Sequence, residues 1–94
     1  MQPAKPIIEE DIEAKLRRIP KYRVILHNDD YHTFDQVIRW IVITVQLPIA
    51  DAVRITYKIH NEGAATVVIV VKELAEHYMD IFRGYGMGCT IEPE

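Results

Sequence analysis

The chain is predicted to fold as an α+β domain in which a three-stranded antiparallel sheet packs on three helices, in the order β-α-α-β-α-β. Three observations carry this. Residues 22–26 alternate apolar and other side chains with period two, and residues 65–71 form a β-branched run, both patterns of strands. Three longer segments repeat apolar residues every three to four positions, the period of a helix. Cap and turn residues stand at the boundaries between them. With 94 residues, 49% hydrophobic and 27% charged, the composition is that of one globular domain, and a chain of this size buries roughly 60% of its unfolded surface.

Residues 1–20 mix Pro3, Pro6 and Pro20 with alternating acids and bases, which reads as a flexible N-terminal arm and linker ahead of a core domain at 21–94. Ile8, Ile12, Leu16 and Ile19 fall at helical spacing, so part of the arm has the pattern of an amphipathic helix, although an isolated helix this short is marginal in water. In the first strand Tyr22, Val24 and Leu26 alternate with Arg23 and Ile25, and the polar run His27-Asn28-Asp29-Asp30 stops it. Thr33 followed by Gln36 fits a capping box, and Phe34, Val37, Ile38, Ile41 and Val45 continue at helical spacing, which places the first helix over 34–45. Pro48 suits the first turn of a second helix with Ile49, Ala52, Val53, Thr56 and His60 on one face and Gly63 as terminator. The run at 65–71 lacks clean alternation, which predicts a central strand buried on both faces. Leu74, Ala75, Tyr78, Ile81, Phe82 and Tyr85 make the stripe of a third helix ending near Gly84 and Gly86, and residues 89–92 a last short strand.

Charge and composition exclude several functions. A net charge of -3 leaves no basic field for a phosphate backbone, so no nucleic-acid partner is expected. The longest apolar runs, at 40–45 and 67–71, fall far short of the ~18 residues that span a bilayer, so no membrane association is expected either. Cys89 stands alone, and Glu9, Glu10, Asp11 and Glu13 interrupt any apolar run near the N-terminus, so the expected setting is reducing and cytoplasmic. His27, His32, His60, Asp29 and Asp30 are the residue types of a metal or acid–base site, but their spacing matches no helix-borne metal motif. There is no Gly-rich phosphate loop or nucleophile elbow, and Cys89 lies in a strand where an inert thiol is the commoner case. No catalytic residue, metal or cofactor is therefore assigned.

Two polar elements stand at element ends: Asn28-Asp29-Asp30 after the first strand and His60 at the end of the second helix. Each has an ordinary explanation, the first as turn chemistry and the second as a match to the helix dipole. If they converge, they offer a carboxylate, an amide oxygen and an imidazole nitrogen, all acceptors for a cation with several N–H donors such as a protein's α-ammonium. Phe34, Val37, Ile38, Thr56, Ile59 and Met87 are the candidate apolar wall beside them, giving a pocket for an N-terminal residue.

The stretch KYRVILHNDDYHTFDQVI resembles the opening strand, NDD loop and first helix of the ClpS family, adaptors for N-degron substrates of Clp proteases. DAVRITYKIHNEGAATVVIVV is similar to that family's second helix with its terminal His and the strand after it, and KELAE and CTIE extend the likeness over residues 21–92. The resemblance implies an adaptor, not an enzyme, that binds bulky hydrophobic N-terminal residues and delivers the substrate protein to the N-terminal domain of a Clp AAA+ ATPase of the ClpA or ClpC type. It implies that Asn28, Asp29 and His60 hold the free amine and that Asp30 supports the loop. Val37, Ile59 and Met87 match the family's pocket in type, whereas Phe34 stands where many members have a gating Met and Thr56 where a second Met is usual. These two positions imply a narrower choice among Leu, Phe, Tyr and Trp. Glu73 matches an acidic ATPase-docking residue, and Tyr78 replaces a common Lys on the same helix. The segment before the last strand is short, as in plant and cyanobacterial relatives, and the arm's length suits entry into the ATPase pore. A protein-interaction module with a ribosomal-stalk-like fold is the alternative, and it has no use for the NDD run and His60.

Overall fold

The computed structural model describes residues 5–94. The start of the expected arm, Pro3 included, lies outside the described residues, as do the side chains of residues 5–10, Pro6 and Ile8 among them. The elements are α1 (Lys5–Arg18), β1 (Lys21–His27), α2 (Phe34–Val45), α3 (Ile49–Glu62), β2 (Ala64–Val71), α4 (Lys72–Gly84) and β3 (Cys89–Pro93). The expected β-α-α-β-α-β order is thus preceded by a helix. Lys15, Arg17 and Arg18 in the last turn of α1 suit its negative dipole end. Ile12 and Leu16 of this helix, and Ile19 just after it, are exposed.

β1 is the centre of the sheet, whose order is β2-β1-β3. It pairs antiparallel with β2 from Lys21↔Val71 to His27↔Ala64 and with β3 from Tyr22↔Pro93 to Leu26↔Cys89. One sheet face carries the core; on the other, Arg23 faces Glu92 across the ladder at 3.0 Å. Here the structure corrects the sequence reading: β2 is an edge strand, not a central one. Its lack of alternation has a different cause. Val24 pairs with Val68 and Ile25 with Thr66, so Val67 is an extra residue, a β-bulge. The bulge shifts the phase, so that Ala65 and Val67 point inward before it and Val68 and Val70 pack on the core after it, while Ile69 is left exposed.

The three remaining helices cover the core face. α2 begins with the expected capping box: the Gln36 N–H donates to Thr33 Oγ1 at 3.2 Å, and the Thr33 N–H donates to Gln36 Oε1 at 2.9 Å. The buried stripe of α3 is Ala52, Thr56 and Ile59, with Ile55 partly buried beside them. Ile49 and His60, expected on that face, are exposed, because the helical period carries the inward face through 52, 55, 56 and 59 and leaves both on its margins. Gly63 ends α3 at φ 90°, donating its N–H to the Ile59 carbonyl at 2.9 Å. Val24, Leu26, Ile41 and Phe82 are fully buried at the centre, each contributing about 1.5–3 kcal/mol of transfer free energy. Arg83 at the end of α4 donates to the Cys89 carbonyl at 3.0 Å, which ties β3 to the core. Burial pushes the Cys89 thiol up to about 11 against the opposing pull of Arg83, so it stays protonated and inert. No helix among the described residues is long and apolar enough to cross a membrane.

Candidate functional site

The register of the sheet decides whether the two polar elements meet. The β1–β2 ladder closes at His27↔Ala64, and Gly63 directly precedes β2, so the end of α3 must lie beside the residue that follows β1. The Asn28 N–H donates to the Gly63 carbonyl at 2.8 Å and locks that arrangement. Asn28, Asp29 and His60 consequently line one concave pocket that opens to solvent.

Asp29 is held by its own loop. Its Oδ1 accepts the backbone N–H groups of Tyr31 and His32, each at 2.9 Å, and its Oδ2 accepts the His32 ring Nδ1–H at 2.8 Å. Burial pushes the carboxyl up, but the hydrogen bonds from the His32 ring and the two backbone amides, with the imidazole's charge, outweigh it and hold Asp29 below the ordinary carboxylate value. A carboxylate offers about four lone-pair sites. Three are occupied within the loop, leaving one for an incoming donor.

The pocket floor is apolar. Val37, Ile59 and Met87 are buried there, and so is Thr56, whose hydroxyl is spent on the Ala52 carbonyl at 2.7 Å. With its polar atom satisfied, Thr56 serves as a small wall residue. Phe34 stands edge-on to His60 at 5.1 Å and to Tyr57 at 5.0 Å, so its ring is fixed between two partners on α3. His27 and His32 complete the lining. His27 bonds Thr90 through Nε2 at 2.7 Å, and its Cβ would lie 3.3 Å from a Cβ at Gly88, tighter than most real contacts.

Several expectations change. Ile38 does not line the pocket: one residue on from Val37 it is turned by about 100° around α2, and it borders Val42, Ile43 and Ile49 on the outer side. Asp30 is exposed, lies outside the pocket and makes no side-chain hydrogen bond among the described residues, because Asp29 itself supplies the loop-closing bonds. His32 was overlooked as a pocket residue; the signal was its position three residues after Asp29 in a turn-forming run. Glu73 and Tyr78 lie away from the pocket on α4. Glu73 is exposed on an acidic ridge with Glu76 and Asp80, whereas Tyr78 is half-buried against the core. Among the described residues no group of His, Cys, Asp and Glu is arranged to hold a metal ion. The arrangement can do one thing well: accept hydrogen bonds from a cation at its rim while burying an apolar group beneath it.

Residues 17–90 match the family model described as ATP-dependent Clp protease adaptor protein ClpS. The chain is 36% identical to the Clp protease adapter protein ClpS of Nautilia profundicola, with 96% of this chain and 97% of that protein covered. It is 33% identical to the Synechococcus elongatus ClpS, with 94% of each covered. It is also 36% identical to the chloroplastic adapter CLPS1 of Chlamydomonas reinhardtii over 87% of this chain, spanning 51% of that longer protein. A similar solved structure is that of Agrobacterium tumefaciens ClpS2 bound to L-phenylalaninamide, at TM-score 0.71 and 26% identity, covering 82% of this chain and 100% of that one.

Proposed function

The chain belongs to the ClpS family of Clp protease adaptors, which are binding proteins and not enzymes, and on that premise we propose that its pocket captures the first residue of substrate proteins for delivery to the protease. The observation that carries this is the convergence of Asn28, Asp29 and His60 on the rim of a pocket floored by Val37, Thr56, Ile59 and Met87. The rim accepts the three N–H bonds of an α-ammonium, and the floor takes a bulky apolar side chain. L-Phenylalaninamide, the ligand of the Agrobacterium relative, has both features and ends in an amide where a polypeptide would continue. Charge-assisted hydrogen bonds contribute about 1.5–3 kcal/mol each, and burying the side chain about as much. After ordering costs, micromolar affinity of about -8 kcal/mol follows.

Phe34 and Thr56 narrow the choice. The Phe34 ring, braced by Tyr57 and His60, yields less readily than the unbranched Met it stands in for, so unequal affinities are expected among Leu, Phe, Tyr and Trp. The partner in this reading is the N-terminal domain of a ClpA- or ClpC-type ATPase. It meets the exposed acidic ridge of α4 at Glu73, with Tyr78, half-buried on the same helix, at the margin of the contact, while the α1 segment serves as the arm that leads into the ATPase in a cytoplasmic setting. Titrating a labelled peptide with a free N-terminal Phe, beside its N-acetylated twin and against Asp29→Ala, tests the core of this reading. Micromolar binding that both changes abolish is expected; equal binding of the acetylated twin would refute amine capture. The same titration over four peptides beginning with Leu, Phe, Tyr and Trp tests the selectivity, which equal affinities would contradict.

A further inference from the structure

Building on the amine-capture reading, we infer that His32 is a positioning residue: by occupying Oδ2 of Asp29 it sets the plane of the carboxylate and so determines which lone pair is left for the captured α-ammonium. The turn itself does not require an imidazole. Two backbone N–H bonds to Oδ1 already close the loop, and the ring's bond to Oδ2 at 2.8 Å is additional. An ionised carboxylate only accepts, so the proton of that contact sits on Nδ1 in either charge state of the ring. Both side chains are mostly enclosed, at 17% and 22% exposure, which favours one fixed geometry over exchange with water.

The ring is in turn held from outside the loop. Its centroid lies 5.0 Å from that of Trp40 on α2, edge to face, and Trp40 stacks on Tyr85 beyond α4 at 4.7 Å and 5°. On the remaining side Gly86, at φ 88°, has no Cβ; one placed there would lie 3.6 Å from Cε1 and Nε2 of the ring. Indole and carboxylate therefore define the orientation of His32, and His32 defines that of Asp29. This is the arrangement by which a second partner orients a group that touches ligand.

Two variants separate positioning from bulk structure. His32→Ala removes the donor, and His32→Asn restores an N–H where Nδ1 stood. In titrations with a Phe-initiated peptide, His32→Ala is expected to bind about tenfold more weakly, the effect of losing one hydrogen bond to a charged group, while His32→Asn stays within about twofold of the parent. Unchanged affinity in His32→Ala, or equal weakening in His32→Asn, would overturn the role. A ligand-free readout accompanies this: the Asp29 carboxyl titration followed by NMR. It is expected to move up toward the ordinary value in His32→Ala and to move up less in His32→Asn, which restores the hydrogen bond but not the imidazole's charge. An Asp29 titration indifferent to His32→Ala would overturn the positioning itself, whereas a parent protein that ignores free amines while its Asp29 still responds would overturn only the capture reading beneath it.

Discussion

At the scale of residues, the site depends on how few acceptors are left free. Asp29 serves as loop cap, imidazole partner and pocket wall at once, which explains why one carboxylate is enough to hold the loop and still present charge. The sign of its pH dependence follows from the lowered pKa. The ionised form is the one favoured by folding, so its contribution to stability is complete above the ordinary value of 3.8 and is lost as pH falls through the lower folded value. Stability measured between pH 5 and 2 should therefore decline less steeply in Asp29→Asn than in the parent, and identical slopes would contradict the hydrogen-bonded carboxylate. Asn28, Asp29 and His60 were legible in the sequence because each is a polar residue at an element end. His32 was not, because its partner lies within the same turn, where neither strand nor helix period applies. Ile38 was misassigned for the opposite reason: a helical stripe is wider than the edge that faces a pocket.

At the scale of elements, caps and helix limits were readable, since Thr33, Gln36 and Gly63 perform backbone chemistry that residue type alone specifies. The role of β2 was hidden because the bulge at Val67 exchanges its inward set partway along and imitates a strand buried on both faces. The convergence of loop and helix was hidden too, since it depends on where the β1–β2 ladder ends. α4 sets a further division. Its acidic ridge of Glu73, Glu76 and Asp80 lines no part of the pocket of Asn28, Asp29 and His60, so the proposed docking and the proposed capture are separable. Glu73→Lys should leave peptide affinity within about twofold, as an exposed substitution far from the ligand does, and should weaken binding to the isolated ATPase N-terminal domain. A loss of peptide affinity, or undiminished docking, would contradict that separation.

At the scale of the whole molecule, a central strand is flanked by two antiparallel neighbours and backed by three helices, and the groups proposed to meet a ligand stand where its elements end. Ile12 and Leu16 of α1 and Ile19 after it are exposed, which fits the proposed role of a segment that meets a partner. The fold class was legible because the helix periods, the alternation of β1 and the β-branched composition of β2 identify the elements, whereas the edge position of β2 needed the third dimension. In the proposed function one pocket reads both the free amine and the side chain of an N-terminal residue. The most direct measurement is the set of backbone amide shifts followed by NMR as L-phenylalaninamide is added to the full chain. Saturable shifts centred on Asn28, Asp29, Thr56, His60 and Met87 are expected, absent with N-acetyl-L-phenylalaninamide; shifts centred on the α4 ridge, or equal shifts from the acetylated compound, would contradict capture by this pocket.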